Sequence, residues 1–216
     1  KNSLTSGFYV DYLNFDLYNR DIYANLGRDS VRIDVQDKTT LYQAYSTWKH
    51  RFNSKFLFNA GLHAQYYSLN EQFSVEPRLG FQYVINGRHS LSAGFGLHNQ
   101  IQSIYTSYVQ TEIADNTFLL TNTDLDFTTS RHAALTYDWN INEHLRLKAE
   151  TYYQQLDNVP VERNTSSFSS LNTGSSFEPS DVDSLINNGT GSNYGIELTL
   201  ERFFDKGYYF LVTSSL

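Results

Sequence analysis

The chain has 216 residues, of which 40% are hydrophobic and only 18% charged, while 16% are aromatic, from 17 Tyr, 15 Phe and 2 Trp. So many aromatics argue against disorder, and no uninterrupted apolar run approaches the roughly 20 residues of a membrane-spanning helix. A formal charge of −7 without any Lys/Arg block argues against nucleic acid as a partner, and the absence of Cys removes disulfides, thiolate metal sites and Cys nucleophiles.

In chain order the signal is alternation. A first strand is expected over about 4–18 and, after a long connection over 19–40, a second over 41–52. The tight turn Asn53-Ser54-Lys55 leads into a third over 56–69, where Phe56, Phe58, Ala60, Leu62, Ala64 and Tyr66 alternate with Asn59, Gly61, His63 and Gln65. A short link at 70–72 precedes a fourth over 73–85. Asn86-Gly87-Arg88-His89 then turns the chain into a fifth over 90–104, with Leu91, Ala93, Phe95 and Leu97 set against Ser92, Gly94, Gly96 and His98. A long connection over 105–127 follows. The sixth strand, 128–141, sets Ala133, Leu135, Tyr137 and Trp139 against His132, Thr136, Asp138 and Asn140. Asn142-Glu143-His144 links it to a seventh over 145–156, and a third long connection occupies 157–192. An eighth strand over 193–204 alternates Tyr194, Ile196, Leu198 and Leu200 with Gly195, Glu197, Thr199 and Glu201; Asp205-Lys206-Gly207 leads to a ninth starting at 208.

Successive side chains of a strand point to opposite faces, so each segment has one greasy and one polar face. Several segments run to about 12 to 15 residues, against ~5–6 in most globular sheets and the ~9–11 that cross hydrocarbon at a tilt. Every second link is short, which puts tight turns at one end of a meander and long loops at the other, the arrangement of an outer-membrane barrel. Phe52, Phe56, Trp139, Phe204 and Tyr208 fall near the turn end, and Tyr42, Tyr66, Tyr67, Tyr152, Tyr153 and Tyr194 near the loop end, as two interfacial girdles would require. The competing explanation for the aromatics, that Tyr and Phe simply favour strands, accounts for neither the strand lengths nor the sorted loops. The fold class expected is all-β: an antiparallel up-and-down transmembrane β-barrel, present in part as about nine strands. A polar lumen then explains the mean hydropathy of −0.47. Pro77 cannot donate within a ladder, so a bulge is expected near Glu76-Pro77-Arg78. Bacterial single-chain barrels use even strand numbers, and the chain opens on Lys1 rather than Met, so residues 1–216 are expected to be a piece of a larger barrel.

Three stretches resemble the barrel of TonB-dependent outer-membrane receptors in their Bacteroidetes-type form. These are Ser74-Val75-Glu76-Pro77-Arg78-Leu79-Gly80-Phe81 with Ser90 to Gly96, Glu150 to Pro160, and Asn193 to Glu201 with Lys206-Gly207-Tyr208-Tyr209. The resemblance implies a 22-stranded barrel filled by an N-terminal plug, neither plug nor TonB box lying within 1–216. It also implies placement in outer-membrane lipid, coupling to the TonB complex, and a surface lipoprotein as a further partner. The ligands it implies are scarce or bulky: siderophore, haem, cobalamin or oligosaccharide.

His63, Arg78 and His98 fall on the polar face of three successive strands, seven to ten residues from their turns. They form a candidate lumen patch for an anionic ligand or the plug, against the plainer reading of ordinary lumen lining. His132 and Asp138, and Arg146, Lys148 and Glu150, mix signs and suggest cross-strand or plug ion pairs rather than a selective ring. Loops on a rigid scaffold often carry binding groups. Tyr105 and Tyr108 open one loop and are candidates to stack on a sugar or chelator, and 157–192 carries Asp157, Glu162, Asp181 and Asp183. The six histidines show no metal-ligand spacing. No catalytic grouping stands out, so neither an enzyme nor a cofactor is expected. The alternatives are a passive porin-like channel, separated by the absence of an upstream plug, and a soluble all-β adhesin or carbohydrate-binding module, separated by solubility without detergent.

Overall fold

The computed structural model describes residues 1–23, 28–114, 117–173 and 180–216. Its main element is an antiparallel sheet of nine strands. These are β1 (Asn2–Tyr23), β2 (Arg28–Arg51), β3 (Phe56–Tyr67), β4 (Gln72–Val84), β5 (His89–Gln100), β8 (Thr128–Asn140), β9 (Leu145–Glu162), β10 (Leu185–Asp205) and β11 (Tyr208–Ser215). Each pairs with its neighbour in the chain. A short helix α1 (Ile104–Ser107) and a separate hairpin, β6 (Gln110–Ala114) with β7 (Thr117–Leu120), are inserted between β5 and β8. Among the described residues β1 and β11 are the two edges, so the sheet is open.

The turns are specified locally. The Asn53 side-chain oxygen accepts from the N–H groups of Lys55 at 2.8 Å and Phe56 at 2.9 Å. Asn86 does the same for Arg88 and His89, and Asn142 for His144. Three turns thus share one device, an Asn side chain that takes the place of a backbone acceptor. The fourth uses positive φ at Lys206 and Gly207, the geometry of a tight two-residue hairpin.

Register carries one face across the sheet. Gly7 lies opposite Tyr45, Tyr45 opposite His63, and His63 opposite Glu76. Further along, Arg78 faces Gly96, Gly96 faces His132, and His132 faces Gln154. The other face joins Phe8, Ala44, Ala64 and Val75, then Leu79, Phe95, Ala133 and Tyr153. Its large apolar side chains, among them Phe8, Leu62, Phe81, Leu135 and Ile196, are exposed.

Three expectations need correction. The connection expected over 19–40 is not a loop: β1 and β2 run on as a hairpin paired out to Tyr23 and Arg28, with one register shift at Asn19/Arg20. Val31, Ile33 and Val35 alternate there with polar neighbours, the ordinary strand signal. In the same way β9 continues to Glu162 and β10 begins at Leu185, shortening the connection expected over 157–192. Residues 24–27, 115–116 and 174–179 of the three connections lie outside the described residues. Finally, Pro77 makes no bulge. It sits opposite Leu62 in an unbroken β3–β4 register, one residue beyond Arg78, where the ladder to β5 ends. From there β5 pairs only with β8, so nothing on that side requires the missing N–H.

The face assignment predicts a sharp asymmetry. Leu62→Arg, in mid-strand on the apolar face, is expected to cost about 2–4 kcal/mol in lipid. Gln82→Arg, on the polar face, is expected to stay within about 0.5 kcal/mol. Urea unfolding of the membrane-inserted protein measures both.

Candidate functional site

The polar face gathers its chemistry around Glu76, whose side chain is only 2% exposed. On β3, the alternate residues His63 and Gln65 point to this face; on β4, Glu76 and Arg78 do so. One carboxylate oxygen, Oε2, accepts from Arg78 Nη2 and lies against His63 Nδ1, both at 3.0 Å. The other, Oε1, accepts from Gln65 Nε2 and from the backbone N–H of Asn99, again at 3.0 Å. Gln65 Nε2 also donates to the Asn99 carbonyl at 3.0 Å. Where β5 leaves β4, Glu76 and Gln65 therefore supply the hydrogen bonds that strand pairing no longer does. His63 Nε2 reaches Gln43 Oε1 at 3.2 Å, and Gln43 donates to Asp11 at 2.9 Å, extending the network toward β1.

Above this base lies an open recess of about 410 Å³, lined by Tyr9, Tyr45, His63, Arg78, His98 and their neighbours. Tyr9 and Tyr45 stack with centroids 6.0 Å apart. His98 and His132 stack at 4.5 Å, their planes 12° apart, and fold over Gly96, where an added Cβ would lie within 2.9 Å of both Nε2 atoms. Lone pairs in parallel rings do not converge on one point, so the pair is not arranged as a chelate.

His63, Arg78 and His98 are thus brought together as the sequence pattern expects. Glu76 changes the chemistry. The sequence marks it through the expected bulge and the Ser74–Phe81 stretch, yet it bonds to Arg78 and to one nitrogen of His63, so the patch is charge-balanced. Its signal is the register of the short β3–β4 hairpin, which sets His63 opposite Glu76, with Gln65 and Arg78 two residues away on the same face. The ion pairs expected between mixed-sign residues also form: Arg146 with Asp138 and Glu201, and Lys148 with Glu150 at 2.8 Å. Asp157 pairs with Arg131.

Tyr105 and Tyr108 stand at the loop end, in a small core with Ile33 and Val109 at its centre and Phe15, Leu17, Val35, Leu69 and Ile104 around it. Tyr108 is 3% exposed, meets Phe15 edge-on at 5.3 Å, and donates its hydroxyl hydrogen bond to Asp37 Oδ2 at 2.6 Å. Its ring is covered on the inside of the protein and offers no free face. Tyr105 is partly covered and bonds to Asn19 through its hydroxyl. Burial first, then the bond to Asp37, pushes the Tyr108 phenol above its usual range. The same bond, followed by that from Lys38 N–H, holds Asp37 below the usual carboxylate range.

Sequence reasoning did not single out Asn122, which is fully buried. Its amide donates to the carbonyls of Thr106 at 3.0 Å and Val182 at 2.9 Å, and its oxygen accepts from Leu185 N–H at 2.9 Å. Arg32 closes the same cap by donating to the Asp181 carbonyl at 2.7 Å, beside Asp183. Glu162 ends β9. Among the described residues no group of three or more His, Asp or Glu side chains is placed to hold a metal ion.

Two outcomes follow from these contacts. Glu76→Ala leaves the Asn99 N–H without its acceptor and takes one bond each from Gln65 and Arg78, and is expected to cost about 1–3 kcal/mol, read by denaturant unfolding of the folded protein. The lowered Asp37 value means that its contact with Tyr108 stabilises the cap above the ordinary 3.8 and is lost as pH falls below it. Hydrogen exchange of the 104–109 amides, corrected for intrinsic rate, should show protection dropping below that pH, and the dependence should vanish in Tyr108→Phe.

The family described as "TonB dependent receptor-like, beta-barrel" matches residues 2–215. A comparison with curated proteins gives no match. Solved structures share the fold at low identity. A ferric enterobactin receptor (PfeA) mutant from Pseudomonas aeruginosa aligns at 13% identity and TM-score 0.64, over 99% of this chain and 35% of that one. The FrpB iron transporter from Neisseria meningitidis aligns at 12% and 0.66, over 99% and 32%. The RagAB peptide importer aligns at 11% and 0.62, over 100% and 28%. The chain spans about a third of the length of the structures it matches.

Proposed function

Because a match over residues 2–215 makes the chain a member of the TonB-dependent receptor β-barrels of the bacterial outer membrane, we propose that it forms part of the wall of an active, TonB-coupled importer. The ligand is scarce or bulky, of siderophore, cobalamin or oligosaccharide type. It is captured at the loop end and passes through a lumen otherwise filled by a plug. The observation that carries this reading is the nine-stranded sheet with one exposed apolar face and one polar face, alike in fold to a ferric enterobactin receptor and an iron transporter.

The lumen patch of His63, Arg78 and His98 is the contact we assign to a ligand or the plug. Arg78 gives one N–H to Glu76 and remains 47% exposed, so its other donors face the recess. The charge balance around Glu76 favours a polar partner that accepts hydrogen bonds over one that merely carries negative charge. Tyr105 contributes to capture through the edge of the cap it leaves uncovered, and Tyr108 by holding α1 in place. A surface lipoprotein is a further partner on this reading.

Cells carrying the intact protein are expected to accumulate a labelled ligand from a panel of ferric enterobactin, cyanocobalamin and maltoheptaose. Uptake should be lost when TonB is removed; uptake that persists without TonB identifies a passive channel instead. Arg78→Ala with His98→Ala should lower uptake at least several-fold at equal levels of assembled protein. Unchanged uptake and unchanged plug retention would remove the patch from the mechanism.

A further inference from the structure

A second site lies at the opposite end of the strands. Each of the four tight turns carries or adjoins a basic residue: Lys55, Arg88, His144 and Lys206. Three of these turns enclose a recess of about 700 Å³, lined by Arg88, Asn140, Asn142, Glu143, His144, Arg202, Asp205, Lys206 and Gly87. Two acids, Glu143 and Asp205, face three permanent cations and a histidine. Asp205 is already engaged, at 3.2 Å from Arg202 Nη2 and 3.8 Å from His144 Nε2.

Arg202 is the informative residue. It lies across from Leu145 and Phe210, and so on the apolar face. Its guanidinium is 4.4 Å above the Tyr208 ring, and only 17% of the side chain is exposed. Its Nε–H is buried and has no acceptor among the described residues. A guanidinium stacked on an aromatic ring and fixed by one carboxylate is held in one orientation at the recess, where it can meet an additional oxyanion. Trp139, stacked with His89 at 5.7 Å, belongs to the same aromatic border. Apolar surface above, an aromatic ring at the boundary and cations below match the order of acyl chain, glycerol and phosphate in a lipid leaflet.

We infer that the turn-end recess around Arg202, Arg88 and Lys206 binds the phosphodiester headgroup of a phospholipid in the periplasmic leaflet. The shared chemistry is that of any phosphate monoanion. The lipid is the source we assign, because Arg202 approaches from the lipid-facing side and its aromatic platform continues into the apolar surface.

The test uses the intact outer-membrane protein, delipidated in a neutral detergent and titrated by native mass spectrometry. The probes are phosphatidylglycerol, diacylglycerol with the same chains, and inorganic phosphate. The expected result is retention of phosphatidylglycerol but not diacylglycerol, with affinity about tenfold lower in Arg88→Gln/Arg202→Gln. Lys206→Gln, at an exposed turn position, should weaken retention without affecting assembly, and heat-shifted migration on gels verifies that each variant is folded. Equal retention of diacylglycerol, unchanged affinity in the folded variants, or displacement of the lipid by millimolar phosphate would each overturn the assignment.

Discussion

A backbone that crosses hydrocarbon has no water to bond with, so every N–H and C=O must find a partner inside the protein. Between its edges β1 and β11 the sheet meets this demand with an antiparallel ladder. What decides the structure is how it behaves where that ladder stops. At the turn end, Asn side chains stand in for backbone acceptors. At the loop end other side chains do so: Ser68 for Thr40 N–H, Thr121 for Ser184 N–H, Asn187 for Asp126 N–H, and Asn122 for Leu185 N–H. Glu76 belongs to the same series, since it receives Asn99 N–H where β4 and β5 part. The lumen cluster and the loop cap therefore share an origin in backbone groups left over by diverging strands.

The inner face changes character along its height for a related reason. In mid-strand it presents Gln43, Tyr45, His63 and Arg78. Higher on the same face stand Phe15, Leu17, Ile33 and Val35, which follow the same parity through β1 and β2. They are apolar because α1 and Val109 fold onto them, whereas the mid-strand residues line an open recess. Polarity on this face follows what covers each level, and α1 reaches β2 across the short β3–β4 turn at Leu69.

That dependence explains what could be seen in the sequence. Strands framed by Asn turns and lined by Phe, Leu and Ala at every second position carry their fold locally, and their register follows from the alternation. The hairpin above residue 19 was hidden by its Asp and Arg residues, although Val31, Ile33 and Val35 keep period two. The true environment of Tyr108 was hidden more completely, because its ring is buried by Phe15 from a strand far away in sequence. Pro77 suggested a bulge because the end of the β4–β5 ladder is a tertiary fact. The likeness of His63, Arg78 and His98 in height is legible; the engagement of His63 and Arg78 by Glu76 depends on the β3–β4 register.

A ladder of this kind also limits what the wall can do. Sliding one strand by a single residue would turn every lipid-facing side chain into the lumen and every polar one into lipid. The cost of charged side chains at the bilayer midplane, about 2–4 kcal/mol each for Arg or Lys, multiplies along a strand. Twisting apart at β4 and β5 would take the Asn99 N–H from Glu76. At the cap, by contrast, contacts are side-chain bonds such as those of Asn122 and Arg32. On the proposed reading, a large rearrangement during transport takes place in what fills the lumen, with the polar network around Glu76 as a fixed surface against which it moves.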